Sequence, residues 1–123
     1  MIPYVTRIIA KEIKKLGFKN RCVFYYNKDE ILKTDISTNS ITLTGNITDQ
    51  HTNNDNDSTF SAPFWNDVID WFYHQDIIIR RSFNQFGFEV KNLFENESTI
   101  VFASDLEEAI LAAGKLLYTQ LYT

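Results

Sequence analysis

Apolar positions recur along this chain with two different periods. Between residues 3 and 16, Val5, Ile8, Ile9, Ile13 and Leu16 follow the i, i+3, i+4 spacing of one buried helix face. Pro3 suits a first helical turn, where a missing N–H costs nothing. Gly17 supplies a left-handed residue to end the helix, and Phe18 can fold back onto Ile13 in a Schellman cap. The period-2 stretches come next. "CVFYYN" at 22–27, the turn "NKDE" and the return "ILKT" predict a β-hairpin.

Residues 35–61 break both patterns. Ser, Thr, Asn and Asp dominate, and such side chains hydrogen-bond their own backbone in preference to a ladder. "SITLTGNIT" alternates enough for an edge strand, and "DQHTNNDNDS" predicts a mobile loop.

The helical period returns after Pro63. Trp65, Val68, Ile69 and Phe72 share one face, which Phe64 and Trp71 widen, while Asn66, Asp67, Asp70 and His74 fall opposite. After His74 the period drops to 2. Ile77, Ile79 and Phe83 face one way, and Phe86, Phe88 and Val90 answer from the next strand. A tight turn at Asn84–Gln85 would pair Ile79 with Val90 and set Arg80 against Glu89 on the solvent face, whereas a longer turn using Gly87 would shift that register. "TIVFA" supplies a third strand. Ser104 with Glu107 reads as a capping box, and Leu106, Ala109, Ile110, Ala113 and Leu117 form the stripe of a last helix.

The expected fold is α+β. It is a two-layer unit with an antiparallel three-stranded meander flanked by helices (α-β-β-β-α), preceded by a helix and a β-hairpin. The segments are 1–34 for the helix and hairpin, 35–61 for the polar loop or edge strand, and 62–123 for the α-β-β-β-α unit, together one compact domain. The 123 residues fit that size, and 44% hydrophobic residues suffice for a core without disulfides or metal.

Charge changes the picture more than composition does. The net −4 divides into +5 over residues 1–34, −4 over 35–61 and −5 over 62–123. The basic part lies on the first helix, where Arg7, Lys11 and Lys14 share the face opposite the apolar one, with Lys15 beside them. These four are the candidate binding residues for a phosphate backbone or an acidic protein surface, although an ordinary solvated face has the same pattern. The chain has no apolar run of membrane-spanning length and no secretory leader pattern. With one cysteine, Cys22, it fits a reducing cytoplasm.

The stretches "LGFKNRCVFYYN", "APFWNDVIDWF" and "DLEEAILAAGKLL" resemble a family of small uncharacterised proteins from Bacteroides-type gut bacteria, their prophages and phages. The best marker is Ala-Pro-x4-Val-Ile-Asp-Trp-Phe at Ala62 to Phe72, after which "YHQD" departs from the charged segment such proteins carry. The resemblance implies a phage or mobile-element setting, in the cytoplasm of a bacterial host cell, and supplies no catalytic residues.

Chemistry-bearing constellations are sparse. His74 and Asp76 lie close in sequence, but a zinc site needs three or four ligands, and His74 reads better as a helix C-terminal residue. His51 and Cys22 have no ligand spacing around them, and Cys22 reads as a buried, inert thiol. No catalytic residue, metal or cofactor is expected. The α-β-β-β-α order is similar to that of a double-stranded RNA-binding domain, yet the last helix opens "SDLEE", whose carboxylates repel phosphates. The expected function is a non-enzymatic interaction protein acting through a protein partner or as a homo-oligomer. The alternatives are nucleic-acid binding through the basic helix, or an acidic nucleic-acid mimic that blocks a host defence protein.

Overall fold

The structure is a computed structural model and describes residues 2–27, 30–33, 51–54, 58–82, 87–93 and 100–121. The chain is α+β and divides into two compact units, 1–63 and 64–123.

The first unit holds α1 (Arg7–Lys15) and a three-stranded antiparallel sheet of β1 (Phe24–Asn27), β2 (Glu30–Lys33) and β3 (Thr59–Ser61), in the order β2-β1-β3. The helix begins four residues later than its apolar spacing predicts. Thr6 is the N-cap, and its hydroxyl accepts from the Ile9 N–H at 3.4 Å. Pro3 therefore precedes the helix, and the Val5 N–H donates outside it, to the Pro63 carbonyl at 2.9 Å. The buried stripe is Ile9, Ala10 and Ile13. Ile8, expected on that face, is 59% exposed. Successive helix residues are rotated by about 100°, so Ile8 lies to one side of Ile9 while Ala10 lies to the other. The helix end matches expectation. Gly17 has φ +94°, its N–H donates to Lys14, and the Phe18 N–H reaches back to the Ile13 carbonyl at 3.0 Å. Those are the two bonds of a Schellman cap, and Phe18 is fully buried.

The hairpin register is Phe24↔Lys33 through Asn27↔Glu30. The third strand departs from the sequence reading. β3 lies inside the polar 35–61 stretch and pairs Tyr25 with Ser61 and Tyr26 with Phe60. Part of the expected mobile loop is likewise fixed, because His51 and Cys22 exchange two backbone hydrogen bonds of 2.8 Å. The expected edge strand "SITLTGNIT" lies outside the described residues.

The second unit holds α2 (Trp65–Tyr73), β4 (Ile77–Arg81), β5 (Phe88–Asn92), β6 (Ile100–Ala103) and α3 (Leu106–Leu121), with the strands in meander order β4-β5-β6. Both helices pack on this sheet, α2 against β4 and α3 across all three strands. Ile79↔Val90 and Arg80↔Glu89 pair as the alternation requires, and the ladder continues with Ser82 N–H to Gly87 O at 3.1 Å. The turn residues, with Phe83 and Phe86, lie outside the described residues. The core combines Val68 and Phe72 of α2, Ile77, Ile79, Val90 and Ala103 of the strands, and Ala109, Ile110, Ala113 and Leu117 of α3.

Three local expectations change. Phe64 does not widen the buried face of α2. It is the extended N-cap residue and is 41% exposed, while both tryptophans are half-buried. The cap of α3 is shifted by one residue. Asp105 Oδ1 accepts the Glu108 N–H at 2.8 Å, and the Glu108 carboxylate accepts the Ser104 N–H and hydroxyl at 3.1 and 2.5 Å. Glu89, expected in solvent, is largely covered. It sits on the central strand between Arg80 and Phe102, so neighbours shield it from both sides.

Candidate functional site

The four basic residues of α1 occupy different environments. Lys14 Nζ donates to the Thr59 carbonyl at 2.8 Å and lies 4.9 Å from the centre of the Phe60 ring, with Lys11 Nζ at 5.6 Å from the same ring. Both lysines are half-buried, as is Arg7. Lys15 is exposed and 3.4 Å from Glu12. Folding therefore joins Lys11 and Lys14 to β3 as a cation–π contact, and sets Lys15 beside a carboxylate. A phosphate backbone meeting this helix would have to displace those interactions.

A second constellation was not legible in the sequence, because its members are distant along the chain. On one face of the first sheet, the His51 ring stacks on Tyr25 with centroids 4.6 Å apart. Its Nδ1 lies 2.6 Å from the Ser61 hydroxyl and its Nε2 2.7 Å from the Thr59 hydroxyl. Asn53 completes the cluster. Its Nδ2 donates to the Phe18 carbonyl and its Oδ1 accepts from the Ser61 N–H, both at 2.9 Å. Ser61 is fully buried, so its hydroxyl is not presented to a substrate. Cys22 is buried too, and its thiol points to the Asn20 carbonyl at 3.5 Å. The cluster acts as a latch, since these contacts tie His51 and Asn53 to β1, β3 and the α1 cap. Among the described residues, no group of three His, Cys, Asp or Glu side chains is placed to hold a metal ion.

The third surface is the outer face of the second sheet. The inner face alternates Ile77, Ile79, Phe88, Val90, Asn92, Val101 and Ala103 under the helices. The outer face carries two rows of opposed residues, Ile78–Lys91–Ile100 and Arg80–Glu89–Phe102. Leu93 extends β5 by one pairing, its N–H on the Asp76 carbonyl at 2.9 Å, and falls on the same face. Leu93, Ile100 and Phe102 are 45%, 43% and 51% exposed. Arg80 Nε is ion-paired with Glu89 in the midst of these apolar side chains. The alternation of "TIVFA" carried the signal, because Ile100 and Phe102 must share one side of a strand whose other side holds Val101 and Ala103.

The acidic start of α3 is committed to capping. Hydrogen bonds from the Ser104 hydroxyl and N–H hold the Glu108 carboxyl below its ordinary range. In the first unit, burial and the neighbouring Tyr4 raise the Tyr26 phenol, whose hydroxyl donates to the Val5 carbonyl at 2.9 Å.

Among the described residues, fold and surfaces define an α+β protein with two three-stranded antiparallel sheets, one of them with exposed apolar side chains beside an ion pair on its outer face. No protein-family model, curated protein or solved structure matches the chain. Among the described residues, no helix is long and apolar enough to cross a membrane.

Proposed function

We propose that this chain is a small non-enzymatic interaction protein, in the phage or mobile-element setting its sequence resemblance implies, that works through a protein partner or by self-association. Its contact surface is the outer face of β4, β5 and β6. The supporting observation is the exposure of Leu93, Ile100 and Phe102 together on one sheet face. Antiparallel sheets commonly leave one face to water, and that face is then polar. Here Leu93, Ile100 and Phe102 stand exposed on it beside the Arg80–Glu89 ion pair, and large apolar side chains gathered on one solvent-facing surface mark a contact site. The basic helix is the weaker candidate, because Lys14 is already bonded to Thr59 and Lys15 lies beside Glu12.

The test compares the wild type with an Ile100→Ser/Phe102→Ser variant, by affinity capture from host lysate and by sedimentation. Species retained by the wild type and lost with the variant, or self-association lost with it, support the reading. A wild type that is monomeric throughout and retains nothing the variant loses would overturn it.

A further inference from the structure

We infer that the outer face of β4–β5–β6 docks a second copy of this chain, face to face, about a two-fold axis that lies parallel to the sheet and runs across the strands between the two rows. This rests on the reading of that face as the contact surface and names its occupant. The argument is the self-complementarity of the rows. Ile78, Lys91 and Ile100 stand opposite one another in the first, and Arg80, Glu89 and Phe102 in the second. The rows are separated by two residues along each strand, about 6.7 Å.

The proposed rotation lays each row of one copy on the other row of its mate. Glu89 then meets Lys91 of the second copy, and Lys91 meets Glu89. Phe102 packs on Ile100, and Ile100 on Phe102. The aliphatic stem of Arg80 covers Ile78 while its guanidinium keeps its own Glu89, already paired within the chain. Lys91 of each copy therefore lies over the Arg80–Glu89 ion pair of the other at the centre, and the exposed apolar residues coincide at the β6 side. Turning the second copy so that equal rows coincide would instead set Lys91 against Lys91 and Glu89 against Glu89, so the charges select one register. This is the self-complementary patch that a two-fold dimer requires.

Among the described residues the two rows supply six residues a side, against about 20–30 in a standard interface, which makes the dimer weak and concentration-dependent. Sedimentation equilibrium of the full chain should therefore show a mass that climbs from 14.4 kDa toward twice that value as concentration increases. Lys91→Glu sets a second carboxylate against Glu89 of the mate and should raise the dissociation constant at least about tenfold. Glu89→Lys should do the same through two lysines. An equimolar mixture of these two variants restores opposite charges at both central contacts and should associate as the wild type does. Glu89 is largely covered and holds Arg80, so its variant has the greater folding risk. Should it not fold, Lys91→Glu and Phe102→Ser, both at solvent-accessible positions, carry the test, and each must weaken association about tenfold. Association unchanged by these substitutions, folded variants that do not rescue each other, or a wild type monomeric at every concentration would each overturn the inference. A monomeric wild type that still loses a captured partner on Phe102→Ser would leave the contact surface standing and remove only the second copy as its occupant.

Discussion

Alanine at Gly87 should cost the second unit most of its stability, and alanine at Gly17 offers the matched control. Both glycines occupy positive φ, +115° at Gly87 and +94° at Gly17. A side chain in such a conformation costs roughly 1–3 kcal/mol of backbone strain, offset by about 0.4–1 kcal/mol from the stiffer unfolded chain. The surroundings differ. A Cβ on Gly17 would meet nothing within 4 Å. A Cβ on Gly87 would press into the carbonyl oxygen of Ala103, with the Ser104 Cα at 3.2 Å and the Ala103 carbonyl carbon at 3.3 Å. Those atoms are backbone, at the join of β6 and α3, so neither can rotate aside. Displacing a packed element to admit a methyl adds about 1–3 kcal/mol. Summed over these ranges, the cost at Gly87 is about 1–6 kcal/mol, centred near 3, and that at Gly17 about 0–3 kcal/mol, centred near 1. Small domains have little stability above that amount. The assay is urea unfolding. Trp65 and Trp71, the only tryptophans, both lie in α2, so their fluorescence reports on the second unit. With a slope near 1 kcal/mol per molar for so short a unit, Gly87→Ala should lower the fluorescence midpoint by about 3 M or abolish the transition. A midpoint within about 0.5 M of wild type would refute the close approach of β5 to the β6–α3 corner.

Asn53→Ala removes the acceptor of the buried Ser61 N–H and a donor to Phe18, and should cost about 1–3 kcal/mol in an unfolding curve followed by circular dichroism. The Glu108 carboxyl lies below its ordinary value in the folded state, so its contribution is complete above the ordinary glutamate range and is lost as pH falls through the lowered value. NMR titration should place its midpoint below that of an ordinary glutamate, and Ser104→Ala should move it upward. The Tyr26 phenol shifts the other way. Its contribution is complete below the ordinary phenol value and is lost as pH rises through the raised one, because burial and the neighbouring Tyr4 disfavour the charged phenolate. Tyr26→Phe should flatten the alkaline limb of the melting temperature and cost about 0.5–1.5 kcal/mol at neutral pH.

What the sequence determined by itself was local. Gly17 and Phe18 announce a Schellman cap because the cap is made within six residues, and it forms as read. Val68 with Phe72, and Ala109 through Leu117, reveal their buried faces because helix geometry repeats within each segment. Alternation with the shorter of two possible turns set Ile79 opposite Val90 and Arg80 opposite Glu89, and the fold takes that register. The cap residues themselves were harder, because Ser104, Asp105, Glu107 and Glu108 offer two overlapping boxes and the chain entering α3 selects one.

Tertiary structure decided whatever depends on partners far along the chain. β3 is three residues of a polar stretch, with no periodicity of its own to read, and becomes a strand because β1 offers an edge to it. His51 is inconspicuous in sequence until Tyr25, Thr59 and Ser61 close around it. The basic helix reads as a free charged face, yet β3 takes up Lys14 through the Thr59 carbonyl and the Phe60 ring. The outer sheet face has the same origin. Phe102 and Ile100 look like core residues along their own strand, and they stand in water because α2 and α3 cover only the other side of the sheet. Periodicity tells which residues share a face, and only the packed fold tells which face is covered.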